Sequence, residues 1–254
     1  MYNPRGMITL FSKETWRFLK VSIQTILAPV ITSLLYMLVF ASVMKEHLEI
    51  YSGVEYTAFL IPGLIMMAVL QNSFANSSSS LFQSKQNGSI TFILLAPLSS
   101  LEFCLAYIAA SITRGLCVGI GVWMVSCFFT VLPVNNFFVI FGFGIIGSGV
   151  LGALGLIASI WAVKWDHIAA FQNFVILPLS FLSGVFFSIK SLSPFWVRIS
   201  YFNPFFYLID GFRFGFLGVS ETSLLQSFII SGFFFLLTSC ICIIMLKTGY
   251  KLRT

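Results

Sequence analysis

Val21–Met44 reads VSIQTILAPVITSLLYMLVFASVM, an apolar stretch without a single charge. A helix rises 1.5 Å per residue, so about 20 mostly apolar residues cross a hydrocarbon core near 30 Å. Arg5, Lys13, Arg17 and Lys20 stand before the stretch. A cleavable signal would have a shorter apolar core and a small-residue cleavage site. The stretch is therefore expected to remain in the protein as a first membrane span.

The same reading extends along the chain. No charge falls between Glu55 and Lys85, which predicts a second span over Tyr56–Ser79. Between Glu102 and Lys164 the only charge is Arg114. The turn-like Leu132-Pro133-Val134-Asn135-Asn136 divides that stretch into spans over Phe103–Val131 and Phe137–Val163. Ile168–Ser188 predicts a fifth span and Ser223–Leu246 a sixth. Phe205–Gly218, preceded by Ser193-Pro194 and Asn203-Pro204, is apolar but too short to cross, which suits a re-entrant or interfacial segment.

Composition agrees. Of 254 residues, 58% are hydrophobic and 9% charged, with a mean hydropathy of +0.99. A soluble domain is about 25% charged, so this chain is solvated by lipid. The formal charge of +6 does not indicate nucleic acid, because the basic residues occupy the gaps between apolar runs. There they set orientation. With the N-terminus inside, nine fall in the cytoplasm (Arg5, Lys13, Arg17, Lys20, Lys85, Lys164, Lys247, Lys251, Arg253) and four outside (Lys45, Lys190, Arg198, Arg213). The positive-inside rule then places both termini in the cytoplasm.

The expected architecture is an all-α membrane protein forming one transmembrane domain over residues 1–254. It has a cytoplasmic amphipathic helix over 1–20, five spans within 21–188, an extracytoplasmic re-entrant region over 189–222, a sixth span over 223–246 and a cytoplasmic tail over 247–254. On the leader, Met7, Leu10, Phe11 and Phe18 can share one helical side, and Lys13, Arg17 and Lys20 another. A plain basic topology signal would look similar.

Polar residues within the spans are the candidate functional groups. Arg114 lies well inside the third span, where an arginine costs roughly 2.5–3.5 kcal/mol on insertion scales. Either it faces protein or water, or it snorkels to the cytoplasmic headgroups. The second span carries Gln71, Asn72, Ser73, Asn76 and Ser77–Ser80, and the fifth carries Gln172 and Asn173. Such groups join helices or line a pathway. Small residues recur at intervals of four in Ser111/Gly115/Gly119, Gly144/Ser148/Gly152 and Ser180/Gly184/Ser188, a spacing that lets helices pack closely. Asp210 and Arg213, three apart on one helical side, are expected to pair, the alternative being a plain surface helix on which both are solvated.

Catalytic motifs fail. Gly142 and Gly147 offer the outer glycines of a phosphate loop, but Ser148 stands where its lysine is required. Asp210-Gly211 resembles the opening of the CDP-alcohol phosphotransferases without the spaced aspartates that follow. Asp166-His167 has no second cluster beside it. The five cysteines all lie in apolar stretches without zinc-like spacing. No enzyme activity and no cofactor are expected in this chain.

Three stretches together resemble the ABC-2 type permease family. They are Phe11–Lys20 (FSKETWRFLK), Asn87–Phe103 (NGSITFILLAPLSSLEF) and Pro178–Arg213, in which Leu182, Ser183, Gly184, Phe186, Phe187, Pro194, Asn203, Pro204 and Arg213 fill the family's places. Ser193 departs from the commoner leucine or methionine. The resemblance covers essentially the whole chain and is nearest the small bacterial permeases. It implies a homodimer of six-span subunits in the bacterial inner membrane, each above a separate ATPase subunit that binds ATP and magnesium. It also implies export of an amphipathic or lipid-linked molecule. Lys13, Arg17, Gly88, Thr91, Phe92 and Ile93 would couple to the ATPase. Asn72, Asn76, Gln172 and Asn173 would line the path, and Asn203, Asp210 and Arg213 would form an outer gate. The alternative is a secondary transporter or channel working without an ATPase. Such carriers usually place ionisable groups near the midplane, where this chain offers only Arg114.

Overall fold

The computed structural model describes residues 3–44, 49–51 and 54–251, with side chains of 41–44, 49–51 and 54 not described. Lys45 and Arg253 of the orientation argument lie outside the described residues. Helix α1 spans Pro4–Lys20, with Asn3 accepting from Gly6 N and proline at its start, where no backbone donor is wasted. A π-helical turn over Ile23–Leu27 leads into α2, Ala28–Met44. The short antiparallel pair β1, Glu49–Tyr51, and β2, Val54–Glu55, precedes α3, Tyr56–Gln86. Helix α4 covers Ile90–Leu95, α5 Ser100–Ser126 and α6 Phe137–Trp161. Next come α7, Trp165–Phe171, a π turn over Gln172–Ile176, and α8, Leu177–Phe181. The chain ends in α9, Pro194–Phe202, α10, Pro204–Leu217, and α11, Leu224–Thr248.

Among the described residues five helices are long and apolar enough to cross a membrane: the Ile23–Phe40 stretch, α3, α5, α6 and α11. The expected fifth span is a run from Trp165 to Phe181 that stops short of Ser188. Its last turn gives way to a bend in which Gly184 takes φ 74°, a left-handed angle that favours glycine. The Ser180/Gly184/Ser188 stripe is therefore not a helical face. The third span likewise ends at Ser126, not Val131. The second runs on to Gln86, past Ser79, because its serines are buried and bonded. Ser73 Oγ donates to Ser111 O at 3.2 Å, and Ser77 Oγ to Gly152 O at 2.7 Å.

Helix α3 is the axle of the bundle, packed between α5 and α6. In its apolar window 83% of residues are buried, against 22% for the first and last candidate spans. The other two small-residue stripes explain the close approach. A Cβ at Gly115 would lie 2.2 Å from Ser73 Oγ, one at Gly119 2.6 Å from Val69 Cγ2, and one at Gly152 2.9 Å from Ser111 Cβ. The main apolar core joins α2, α3, α5, α6 and α10. A second cluster around Leu10, Ile90, Tyr107, Leu156 and Leu246 joins α1 and α4 to the ends of α5, α6 and α11.

Candidate functional site

The polar side chains of α3 form a ladder with rungs one helical turn apart. At Asn72, Oδ1 accepts from Arg114 Nη2 of α5 at 3.2 Å, and Nδ2 donates to Ala68 O at 3.0 Å. At Asn76, Arg17 Nη2 of α1 donates to both the backbone O and Oδ1 at 2.9 Å, while Nδ2 donates to Ser111 Oγ at 3.3 Å. Near Ser80, Glu14 of α1 is fully buried and accepts from Lys13 Nζ at 2.8 Å and Arg17 Nε at 3.0 Å. Arg114 thus turns inward to α3. It is buried against α3.

Burial pushes the Glu14 carboxyl up, but the Lys13 and Arg17 charges, with hydrogen bonds from Lys13 and Ser80, outweigh it and hold the group below its ordinary value. A leader helix that buries a carboxylate between Lys13 and Arg17 is more than a basic topology signal. Its face toward α5 carries Leu10, Glu14 and Phe18.

The foot of α1 is tied to the loop before α5. Ser99 and Glu102 form a capping box, in which Glu102 Oε2 accepts from Ser99 N and Oγ at 2.7 Å. The other oxygen, Oε1, accepts from Asn3 N, and Asn3 Nδ2 donates to Pro97 O at 3.3 Å. A Cβ at Gly6 would lie 2.8 Å from Leu98 Cδ2, so the two segments touch. Just before this joint, α4 presents Phe92 and Leu95, each 77% exposed. Thr91 is exposed as well, and Ile93 is half-buried against the second cluster. Gly88, with φ 70°, turns the chain into α4 and meets nothing. Lys85 donates to the carbonyls of Ser159, Ile160 and Ala162 at 2.9–3.2 Å, closing the end of α6.

A cavity of about 430 Å³ opens between α2, α3 and α8, lined by Gln24, Thr32, Ser33, Tyr36, Gln71 and Asn72 beside apolar Leu64, Met67, Ala68 and Leu177. Asn72 lines it, whereas Asn76 serves the ladder. Gln172 is half-buried and Asn173 exposed, both outside the cavity wall. The four amides are therefore not gathered in one place within a single chain.

At the other end, Asp210 and Arg213 are buried on α10 but bind different partners. Asp210 accepts from Glu221 N at 2.9 Å, and from Thr222 N and Oγ1 at 3.0 and 2.7 Å. Arg213 donates to Gly184 O at 2.7 Å and Phe59 O at 3.3 Å, with its guanidinium 3.7 Å from the Phe59 ring centre. The expected ion pair between them does not form. Asn203 Nδ2 donates to Leu179 O while Oδ1 caps α10 at Phe205 N. Asn203 and Arg213 thus both serve carbonyls at the end of α8, groups a helix terminus cannot satisfy itself.

Sequence reasoning missed Glu14 and the cross-helix role of Glu102. The first was signalled by the carboxylate between Lys13 and Arg17, the second by the Ser-x-x-Glu spacing.

The folded chain is a multi-span helical membrane protein whose helices are joined through a polar ladder. It belongs to the ABC-2 type transporter family, whose model matches residues 5–217. The chain is 36% identical over 247 residues to the inner membrane transport permease YadH of Escherichia coli K12, covering 97% of this chain and 96% of that protein. It is 22% identical over 219 residues to nodulation protein J of Neorhizobium galegae, covering 85% and 84%.

Proposed function

We propose that this chain is the membrane-spanning subunit of an ATP-driven exporter of the bacterial inner membrane. It works as a homodimer in which each copy sits above a separate cassette ATPase that binds the ATP and magnesium. The Trp165–Phe181 run is the fifth of six spans, both termini are cytoplasmic, and α10 is a re-entrant segment of the outer leaflet. The substrate is an amphipathic or lipid-linked molecule.

The observation that carries the reading is the joint between α4 and α1. An exposed apolar hook, Phe92 and Leu95, stands next to a loop bolted through Glu102 to the start of α1. The far half of α1 is bolted through Arg17 to Asn76 of the central helix. A push on α4 from a docked ATPase is thereby delivered to the bundle's axle. A channel or ion-coupled carrier has no use for such a joint. Gln172 and Asn173, unused within one chain, face the region where a second copy completes the path, and Asn203, Asp210 and Arg213 fix the outer segment as its gate.

The test is co-purification of a cassette ATPase from the native host, and its ATPase rate, with wild type and with Phe92→Asp. The hook variant should insert normally and lose the ATPase or its stimulation. Unchanged co-purification and stimulation would defeat the coupling role.

A further inference from the structure

The ends of α3, α6 and α11 meet at a corner of the bundle where lysines outnumber the carboxylates that could answer them. Residues 85–86, 161–167 and 247–251 carry Lys85, Lys164, Lys247 and Lys251 against a single acid, Asp166. Lys85 uses its three donors on the carbonyls of Ser159, Ile160 and Ala162. Lys251 comes close enough to repel it. Both ion pairs among the described residues belong to Glu14, and no described group accepts a hydrogen bond from the Lys251 ammonium.

That ammonium is instead flanked by two aromatic rings. It lies 5.6 Å from the ring centre of Trp161 and 5.7 Å from that of Tyr250, within reach of a cation–π contact. Both rings are about half exposed. The Trp161 ring is braced by His167, whose ring centre is 5.3 Å away and whose Nδ1 accepts from Val163 N. A cation held between rings, with its donors open, is set to receive an anion from outside the chain.

Two features identify that anion as a lipid headgroup. Tryptophan and tyrosine at the ends of spans sit at headgroup level, and basic residues between span ends on the cytoplasmic side attract anionic headgroups. The last span also presents Leu237, Ile241 and Ile244, exposed at helical spacing on the approach to this corner. Such a stripe suits an acyl chain and offers nothing to a soluble anion.

We propose that this corner binds the phosphate group of an anionic phospholipid of the cytoplasmic leaflet, with Lys251 as the cation and Trp161 and Tyr250 beside it. The lipid is a resident of the rim and not the cargo, so the site goes beyond the exporter reading. Only the choice of leaflet rests on the proposed orientation. The binding assay uses neither ATP nor that orientation, so its failure is distinguishable from theirs.

The full chain, stripped of lipid in a non-ionic detergent, is titrated with dioctanoyl phosphatidylglycerol and separately with dioctanoyl phosphatidylcholine. Bound lipid is counted by native mass spectrometry. Phosphatidylglycerol should bind saturably and about fivefold more tightly, the contribution of one lysine near an anionic headgroup. Lys251→Gln should bring the two lipids to equal affinity, and Lys251→Arg should keep the preference. Lys20→Gln, which removes an exposed cation at the end of α1, should leave the preference unchanged. Equal binding of the two lipids by the wild-type chain would overturn the proposal. So would a preference lost as fully in Lys20→Gln as in Lys251→Gln, which would mean general surface charge. Displacement by inorganic phosphate at equal concentration would overturn the lipid in favour of a free anion. A Lys251→Gln chain that keeps its lipid preference but no longer co-purifies the cassette ATPase would assign the corner to an acidic surface of that subunit instead.

Discussion

Asp210 and Arg213 show how little a spacing rule says about a buried side chain. Three residues apart on one helix, they share a side, yet each finds better partners elsewhere. Asp210 meets two free backbone N–H groups at the start of α11, and Arg213 meets carbonyls beyond α8. Removing either leaves buried polar groups unsatisfied, at a cost of about 2–4 kcal/mol. Because the partners differ, Asp210→Ala and Arg213→Ala should lower thermal stability additively, within about 0.5 kcal/mol in a double-mutant cycle. Arg17 and Asn76 are the opposite case, joined by two bonds of 2.9 Å. Arg17→Ala and Asn76→Ala should couple by about 1 kcal/mol or more in the same assay.

Helix α1 stands or falls with Glu14. A carboxyl held below its ordinary value favours the docked helix at all pH values above the ordinary titration near 4.3, and that contribution is lost as pH falls through the lowered value. Amide protection over residues 5–20, corrected for the intrinsic pH dependence of exchange, should therefore fall as pH drops through the lowered value, and Glu14→Gln should remove that dependence. In α5, Gly115→Ala brings a Cβ against two serine hydroxyls and should cost about 1–3 kcal/mol of thermal stability. Gly232→Ala in α11, where a Cβ meets nothing, should be neutral or slightly stabilising.

The locations of these elements were legible in the sequence because runs without charge mark spans and Pro or Asn marks their ends. Phe137 and Pro204 open their helices where Asn136 and Asn203 cap them. The interior ends were harder to read. The serine run of α3 looks like a loop in composition, and its burial depends on α1 and α6, which no local pattern reports. Of the candidate site, the amides of the second span are visible in the sequence, but no local pattern reports that Arg17, on the same side of the leader helix as Lys13 and Lys20, reaches Asn76.

At the scale of the whole molecule, orientation is the first quantity to measure. In a chain whose native cysteines have been replaced, an impermeant thiol reagent added outside should label Val219→Cys and spare Asn87→Cys, both exposed positions. The reverse would invert the topology and remove α4 from the cytoplasm.

The burial of α3 also bears on how the protein is made. It is the least hydrophobic of the five candidate spans, and most of its asparagines and serines are buried against other helices. A segment of that kind has poor partners in bare lipid, where each unmet polar group costs free energy. Its neighbours α5 and α6 are synthesised after it. The nascent α3 must therefore be sheltered at the translocon, beside α2 and the already translated α1, until those later spans emerge to enclose it. The bundle then closes from its central helix outward, as α5 and α6 are made and cover it.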